Sequence, residues 1–366
     1  MRKRSWASAL LAAALLAACG GGEGDGGEPT LSVYVSLPLR GDDGRDAADG
    51  ARMALAEAGG EAAGIPVTAS FLDDAPGGGR GWTPVQVAEN AREAIQDSTA
   101  IAYLGDFESG ATRTSLPITN AAGMLQVSPA SGAGDLVAPA PGSEELPDAQ
   151  PGGTRTFGRV IPSDRAQAAA GAGWAARLGF PSVATRSDGS GFGDAMVAGF
   201  EDALSGPDLV RDPAALVYYA GEPASRPPSP SGDRQALMVT DAELVPEVAA
   251  EPDGTLATAA ALYPGQLPAA GRRFAREFAA EYGRPAGPYA AYGYEAMAVI
   301  LDSIERASEP TDRTAVIDAF FATSERDSVL GAYSIDEVGD TTLDRVSGYR
   351  YRASVPRPRE AIAAGP

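Results

Sequence analysis

The side chains best placed for chemistry stand in four short segments, each directly after an apolar, β-rich run. The first, Gly105-Asp106-Phe107-Glu108-Ser109-Gly110-Ala111-Thr112, follows Ala100-Ile101-Ala102-Tyr103-Leu104 and opens a helix. Unpaired amides at such a start, those of Ser109 and Gly110 among them, suit a carboxylate, with the Ser109 hydroxyl as a further donor. Ser109 or Thr112 would equally serve as a plain N-cap. The second, Ser128-Pro129-Ala130-Ser131-Gly132, follows Met124-Leu125-Gln126-Val127. Its small residues let a ligand approach the backbone at Ala130, and Ser131 can donate or accept; an ordinary turn reads the same way.

The third segment, Asp188-Gly189-Ser190-Gly191-Phe192-Gly193-Asp194, looks like a dinucleotide fingerprint, but Asp194 stands where the last glycine of G-x-G-x-x-G belongs. A glycine-rich turn that brings Phe192 to a cleft fits it, as does a Phe192 buried in a core. The fourth supplies two acids, Glu222 after Ala215-Leu216-Val217-Tyr218-Tyr219 and Asp241 after Leu237-Met238-Val239-Thr240. A carboxylate at a strand end accepts strongly from an ammonium group when shielded from water. Solvated loop acids are the alternative.

The absences narrow the chemistry further. There is no histidine, the single lysine is Lys3, and the single cysteine is Cys19. Serine–histidine and cysteine–histidine catalysis, Schiff-base lysine chemistry, a lysine-dependent P-loop and Cys/His zinc sites are therefore excluded. Hydrolysis by paired carboxylates stays open, although 49 acidic residues bring some pairs together by chance. No cofactor is expected. The formal net charge of −20 repels phosphate backbones, so no nucleic-acid partner is expected either.

The amino terminus sets the compartment. Arg2, Lys3 and Arg4 precede the apolar run Ala9–Leu16, which ends at Ala17-Ala18-Cys19; the run is too short to span a bilayer. Leu16-Ala17-Ala18-Cys19 resembles the bacterial lipobox, which implies lipidation at Cys19 and an extracytoplasmic protein anchored to the membrane. Residues 1–18 are then a signal peptide, and the Gly-rich 19–30 a flexible tether. The chain beyond the tether is longer than one hydrophobic core usually supports.

From Leu31 onward, strand patterns alternate with helical ones, which predicts βαβ units and parallel sheets. Strands are expected at 31–37, 66–72, 100–104, 124–127, 182–186, 214–219, 236–239, 256–261, 331–335 and 345–352. Helices are expected at 44–58, 84–96, from Ser109, and at 163–178, 193–204, 269–282, 290–307 and 312–323. Residues 132–155 read as a surface loop, and four prolines between Glu222 and Asp233 exclude a helix there. In sheets of this kind, ligands bind beyond the carboxyl ends of the strands.

Together these segments resemble the type I periplasmic-binding fold, and within it the leucine/isoleucine/valine-binding family of ABC transporter receptors. Ser36-Leu37-Pro38-Leu39 with the helix Asp49-Gly50-Ala51-Arg52-Met53-Ala54-Leu55 is similar to that family's first βα unit. Gly105–Thr112 resembles its serine-bearing helix start, Leu125–Ser131 its second ligand turn, Asp188–Gly193 its D-x-x-x-[YF]-G element, and Ala236–Asp241 the place of its acidic residue.

The resemblance implies an α/β protein of two doubly wound parallel-sheet lobes joined by a multi-strand hinge. Lobe one would hold 31–156 plus about 284–326, lobe two 157–283 plus about 327–354, with 355–366 as a tail. Ser109, Gly110, Ala130 and Ser131 would hold the carboxylate of an amino-acid-like ligand, and Phe192, Glu222 and Asp241 would close over it. Phe192 stands where the family commonly has tyrosine. The implied partner is an ABC permease, and the implied state a monomer; a sensor or retention module of the same fold is the competing reading.

Overall fold

A computed structural model describes residues 29–76, 81–138, 148–210, 214–222, 225–227, 235–241 and 251–364. The proposed signal peptide, Cys19 and nearly all of the tether lie outside the described residues, as does most of the proline-rich run after Glu222.

The first sheet is built from β1 (Leu31–Leu37), β2 (Glu61–Ala62), β3 (Ile65–Asp73), β4 (Ala100–Leu104), β5 (Leu125–Ser128) and β6 (Phe157–Arg159), in the order β2-β3-β1-β4-β5-β6. All neighbours are parallel except the β2–β3 pair. β1 and β4 read as almost unbroken apolar runs because helices cover both faces of a parallel sheet. Those helices are α1 (Asp42–Glu57), α2 (Pro84–Gln96) and α3 (Ser109–Ala121). α2 starts where it does because Pro84 suits the first turn and the Thr83 hydroxyl accepts from the Gln86 N–H at 3.3 Å.

The chain then passes to a second sheet. There α4 (Asp164–Arg177) and α5 (Gly191–Ala203) pack on β7 (Ser182–Ser187), β8 (Asp208–Leu209), β9 (Leu216–Ala220), β10 (Ala236–Val239) and β11 (Leu256–Ala259). It returns for α6 (Ala269–Tyr282), α7 (Ala290–Arg306) and α8 (Arg313–Phe321), and finishes as β12 (Arg345–Arg352) and β13 (Val355–Ala363). The second order is β13-β12-β11-β10-β9-β7-β8, parallel except where β12 and β13 take part. No helix among the described residues is long and apolar enough to cross a membrane.

Three expectations need correction. β6 is the edge of the first sheet, and Phe274 and Phe278 of α6 lie in the same core as Val33, Val35 and Ile300. The segments expected at either end of 157–283 therefore belong with the first sheet. Residues 355–363 are not a tail but an edge strand, where Pro356 and Pro358 cost no sheet hydrogen bond on the open side. At 331–335 there are only isolated bridges, Arg326 to Tyr333 and Ile335 to Thr341, beside the buried Glu295, which accepts from Arg326 Nε at 2.7 Å and from the Tyr333 hydroxyl at 2.9 Å.

Three passages join the halves: from β6 to α4, from β11 into Ala260-Ala261-Leu262 of the first core, and from the 335–344 segment to β12. They are tied to one another. Arg159 Nε donates to Asp340 Oδ1 at 2.6 Å, the Arg159 N–H donates to the Gly339 carbonyl at 3.0 Å, and Ser347 Oγ accepts from the Tyr263 N–H at 2.7 Å and bonds Gln266 Oε1 at 2.6 Å.

Candidate functional site

The carboxyl ends of β4 and β5 are stitched together before any ligand is considered. The Ser128 hydroxyl donates to the Asp106 carbonyl at 2.7 Å and accepts from the N–H groups of Ala130 (3.2 Å) and Ser131 (2.9 Å). The Ser131 hydroxyl is fully buried; it bonds the Thr112 hydroxyl at 2.7 Å and lies 3.1 Å from the Asp106 carbonyl and 3.3 Å from that of Phe107. Ser109 is the first residue of α3 rather than its N-cap, which is Glu108, and its hydroxyl accepts from the Ala133 N–H at 3.2 Å. Gly110 lies under the Trp82 ring, where a Cβ would come within 2.6 Å of the indole.

Asp164 opens α4 beside this turn. Its N–H donates to the Gly132 carbonyl at 2.9 Å, and its carboxylate lies so close to the Gly132 Cα that a Cβ there would meet Oδ1 at 2.0 Å. From the second sheet, Asp241 follows β10 and accepts from Gln167 Nε2 at 3.1 Å and from the Ala260 N–H at 3.4 Å. Its charge bears on Asp43 at the start of α1, on Asp164, and on the phenols of Tyr218, Tyr289 and Tyr349. Residues of both sheets thus converge on one place. Phe107 meets Tyr289 edge to face at 4.6 Å, and Tyr218 stacks on Phe200 at 4.0 Å.

Although the Asp43 side chain keeps an exposed surface, partial desolvation and then the like charges of Asp46, Asp42 and Asp241 raise its carboxyl to about 6. Burial also raises Asp164, to about 7, with Asp241 adding to the effect and Arg159 and Arg113 opposing it. A second acidic group lies at the ends of β3 and β4. Asp74 is fully buried with neither carboxyl oxygen partnered among the described residues, and burial together with Glu108, Asp106 and Asp73 pushes it to about 8. Burial lifts Glu108 to about 7, and Asp106 to about 6 against hydrogen bonds from Ser115 and Tyr103. Among the described residues, no group of three or more acids, cysteines or histidines is arranged to hold a metal ion.

The remaining sequence-predicted residues stand at the rim of the second sheet. Phe192 is half-buried against the core containing Met196 and Phe200. Glu222 has an exposed side chain; its N–H donates to Asp188 Oδ2 at 2.9 Å, and its charge is felt by Arg113 on α3. Burial opposes ionisation of Asp188, but hydrogen bonds from Ser190 and Glu222 outweigh it and hold that carboxyl below its ordinary range. Sequence reasoning missed Asp43, Asp164, Tyr218 and Tyr289. Asp43 and Asp164 were within reach of the strand-end rule, since each begins the helix after a strand, whereas nothing local marks Tyr218 or Tyr289.

Residues 36–216 match the model of the family described as periplasmic binding protein. This segment belongs to that family. The periplasmic binding protein architecture extends over the rest of the chain as well, in its type I form. A leucine binding protein from Thermotoga maritima is 21% identical, with 91% of this chain and 99% of that one covered at a TM-score of 0.72. A branched-chain amino acid transporter substrate binding protein from Streptococcus pneumoniae, in complex with isoleucine, is 15% identical over 91% and 99% at 0.70. A solute binding protein of an ABC transporter from Rhodopseudomonas palustris, in complex with 3,4-dihydroxybenzoic acid, is 16% identical over 91% and 96% at 0.69. No curated protein matches the chain.

Proposed function

We propose that the chain is an extracytoplasmic solute-binding lipoprotein, anchored through Cys19, that captures a small polar ligand between its two lobes and delivers it to an ABC-type permease. The observation that carries this reading is the convergence of Asp43 and the Ser128–Gly132 turn from one sheet with Asp241 from the other, around Asp164. Only an arrangement with both lobes in reach lets a ligand stabilise one disposition of the halves over another. The solved neighbours are described as transporter substrate-binding proteins, some with an amino acid and some with an aromatic acid bound, which supports capture without covalent chemistry.

The test is a thermal-shift panel of amino acids, amines, amides and small aromatic acids, followed by calorimetric titration of any hit. A ligand at one hundred times its dissociation constant is expected to add about 2.7 kcal/mol to stability. A panel in which no compound moves the melting temperature, or in which a bound compound is chemically converted, would count against the proposal.

A further inference from the structure

The turn after β5 is held from behind by one buried cation. Arg159 closes β6 with only 1% of its side chain exposed. Its Nη1 donates to the carbonyls of Ser131 (3.1 Å) and Ala133 (2.7 Å), and its Nε to Asp340 Oδ1 (2.6 Å) on the passage that returns to β12. A guanidinium is rigid and planar, so acceptors gathered on two of its nitrogens are fixed relative to one another. The carbonyl between the two, that of Gly132, accepts from the Asp164 N–H at 2.9 Å, at the start of α4. Three successive carbonyls are thus taken, two by Arg159 of the first lobe and one by the helix that opens the second.

The amide protons of the turn are disposed differently. Ala130 and Ser131 give theirs to the Ser128 hydroxyl, and Ala133 gives its own to that of Ser109. Gly132 is buried, yet its N–H has no acceptor among the described residues. Buried backbone donors are rarely left unpaired, so an open one in this turn marks a place for an acceptor from outside the chain. Arg159 sets its direction. In a trans peptide the carbonyl of one residue and the N–H of the next point opposite ways, so drawing the Ser131 carbonyl onto the guanidinium turns the Gly132 N–H away from it. The anchor at the other end is stiff. A Cβ on Gly339, next to Asp340, would lie 2.1 Å from the Phe157 carbonyl oxygen, and the Gly339 carbonyl accepts from the Arg159 N–H at 3.0 Å. Backbone packs on backbone there, which keeps Asp340 in place against β6.

We propose that Arg159 is a positioning residue for capture: braced by Asp340, it holds Ser131-Gly132-Ala133 with the Gly132 N–H presented to an acceptor atom of the ligand. This rests on the two-lobed capture reading and adds to it a residue that never touches the ligand. Because the brace runs from the third passage to the turn, the turn keeps one shape through any relative movement of the lobes. Without the brace, binding has to order the turn first, and affinity falls by that cost.

Three variants separate the roles. Asp340→Ala removes the brace at a partly exposed side chain, Asp340→Asn keeps an acceptor for Nε, and Arg159→Lys retains the buried charge but cannot reach three acceptors at once. In the unliganded full chain, Asp340→Ala is expected to speed amide exchange at Gly132 and Ala133 at least about 10-fold and to leave the amides of α7 unchanged. Calorimetric titration uses L-leucine and 3,4-dihydroxybenzoate as probes. Whichever the wild type binds is expected to bind Asp340→Ala and Arg159→Lys at least about 10-fold more weakly, with Asp340→Asn recovering most of the loss. Arg159→Lys carries both readings if Asp340→Ala folds poorly. Exchange that rises in α7 as much as in the turn, or an affinity unmoved by these substitutions, overturns the inference and leaves two-lobed capture standing. If neither probe binds the wild type, the titration passes to a compound from the wider panel; a panel without a binder overturns capture and this inference with it.

Discussion

Asp74 shows how a single side chain can carry a pH dependence for the whole fold. It sits at the end of β3 with no solvent contact, facing Glu108, Asp106 and Asp73, and its carboxyl is raised from 3.8 to about 8, chiefly by burial. The folded form therefore keeps a proton that the unfolded chain has lost over the range between those values, so stability falls as pH rises from about 4 to about 8. Glu108, raised to about 7 mainly by burial, acts in the same direction. Asp74→Asn keeps the shape and removes the titration. It is expected to raise stability at pH 8.5 by at least about 1 kcal/mol and to flatten the melting temperature between pH 6 and 8.5. A wild-type melting temperature that is level over this range, or a variant that melts lower at pH 8.5, would refute the account.

At the scale of elements, α1 and α7 touch backbone to backbone in the first lobe. A Cβ on Gly293 would lie 2.0 Å from the Ala47 carbonyl oxygen, and one on Gly50 would lie 2.0 Å from that of Ala290. Backbone meets backbone there, so no flexible side chain can yield. Gly293→Ala is expected to push the helices apart and cost about 2–3 kcal/mol in urea unfolding; a loss under about 0.5 kcal/mol would show that the interface adjusts freely.

The same scale shows what the sequence could disclose. β1, β4, β10, β12, α2 and α6 were legible residue for residue, because each combines a strong period with a clear stop or cap, such as Thr83-Pro84 before α2. β13 was not, since Pro356, Pro358 and the charged residues around them look like a tail until a partner strand is known. The boundary between lobes was misplaced for a related reason: the amphipathic pattern of α6 says that one face is buried, but not against which core. Among the proposed site residues, Asp241, Ala130 and Ser131 were reached from the rule that ligands gather at strand ends, since they follow β10 and β5. Tyr218 and Tyr289 could not be found by any rule of spacing, because their relation to Asp241 exists only after β9, β10 and the start of α7 have come together.

For the whole molecule, the proposed leader and the charge act together. Beyond the three cations of the leader, 26 arginines stand against 49 acidic residues. Such a body has no electrostatic attraction to an anionic lipid surface, so on the proposed lipidation at Cys19 residence at the membrane would depend on that lipid. Cys19→Ser is expected to move the protein from the membrane fraction to the soluble extracytoplasmic fraction on cell fractionation; continued sedimentation with membranes would show that something else holds it there.

The bonds among the three passages, Arg159 to Asp340 and Ser347 to Tyr263 and Gln266, bear on how the lobes can travel. A single cord would let one half swivel freely about the other; three cords lashed side by side form a spine that would confine any relative movement of the halves to rocking about it, like the covers of a book. Displacement is then greatest at the fore-edge, and the lashings themselves are preserved through the swing. What sets the balance between a shut volume and an opened one is whatever lies between the pages.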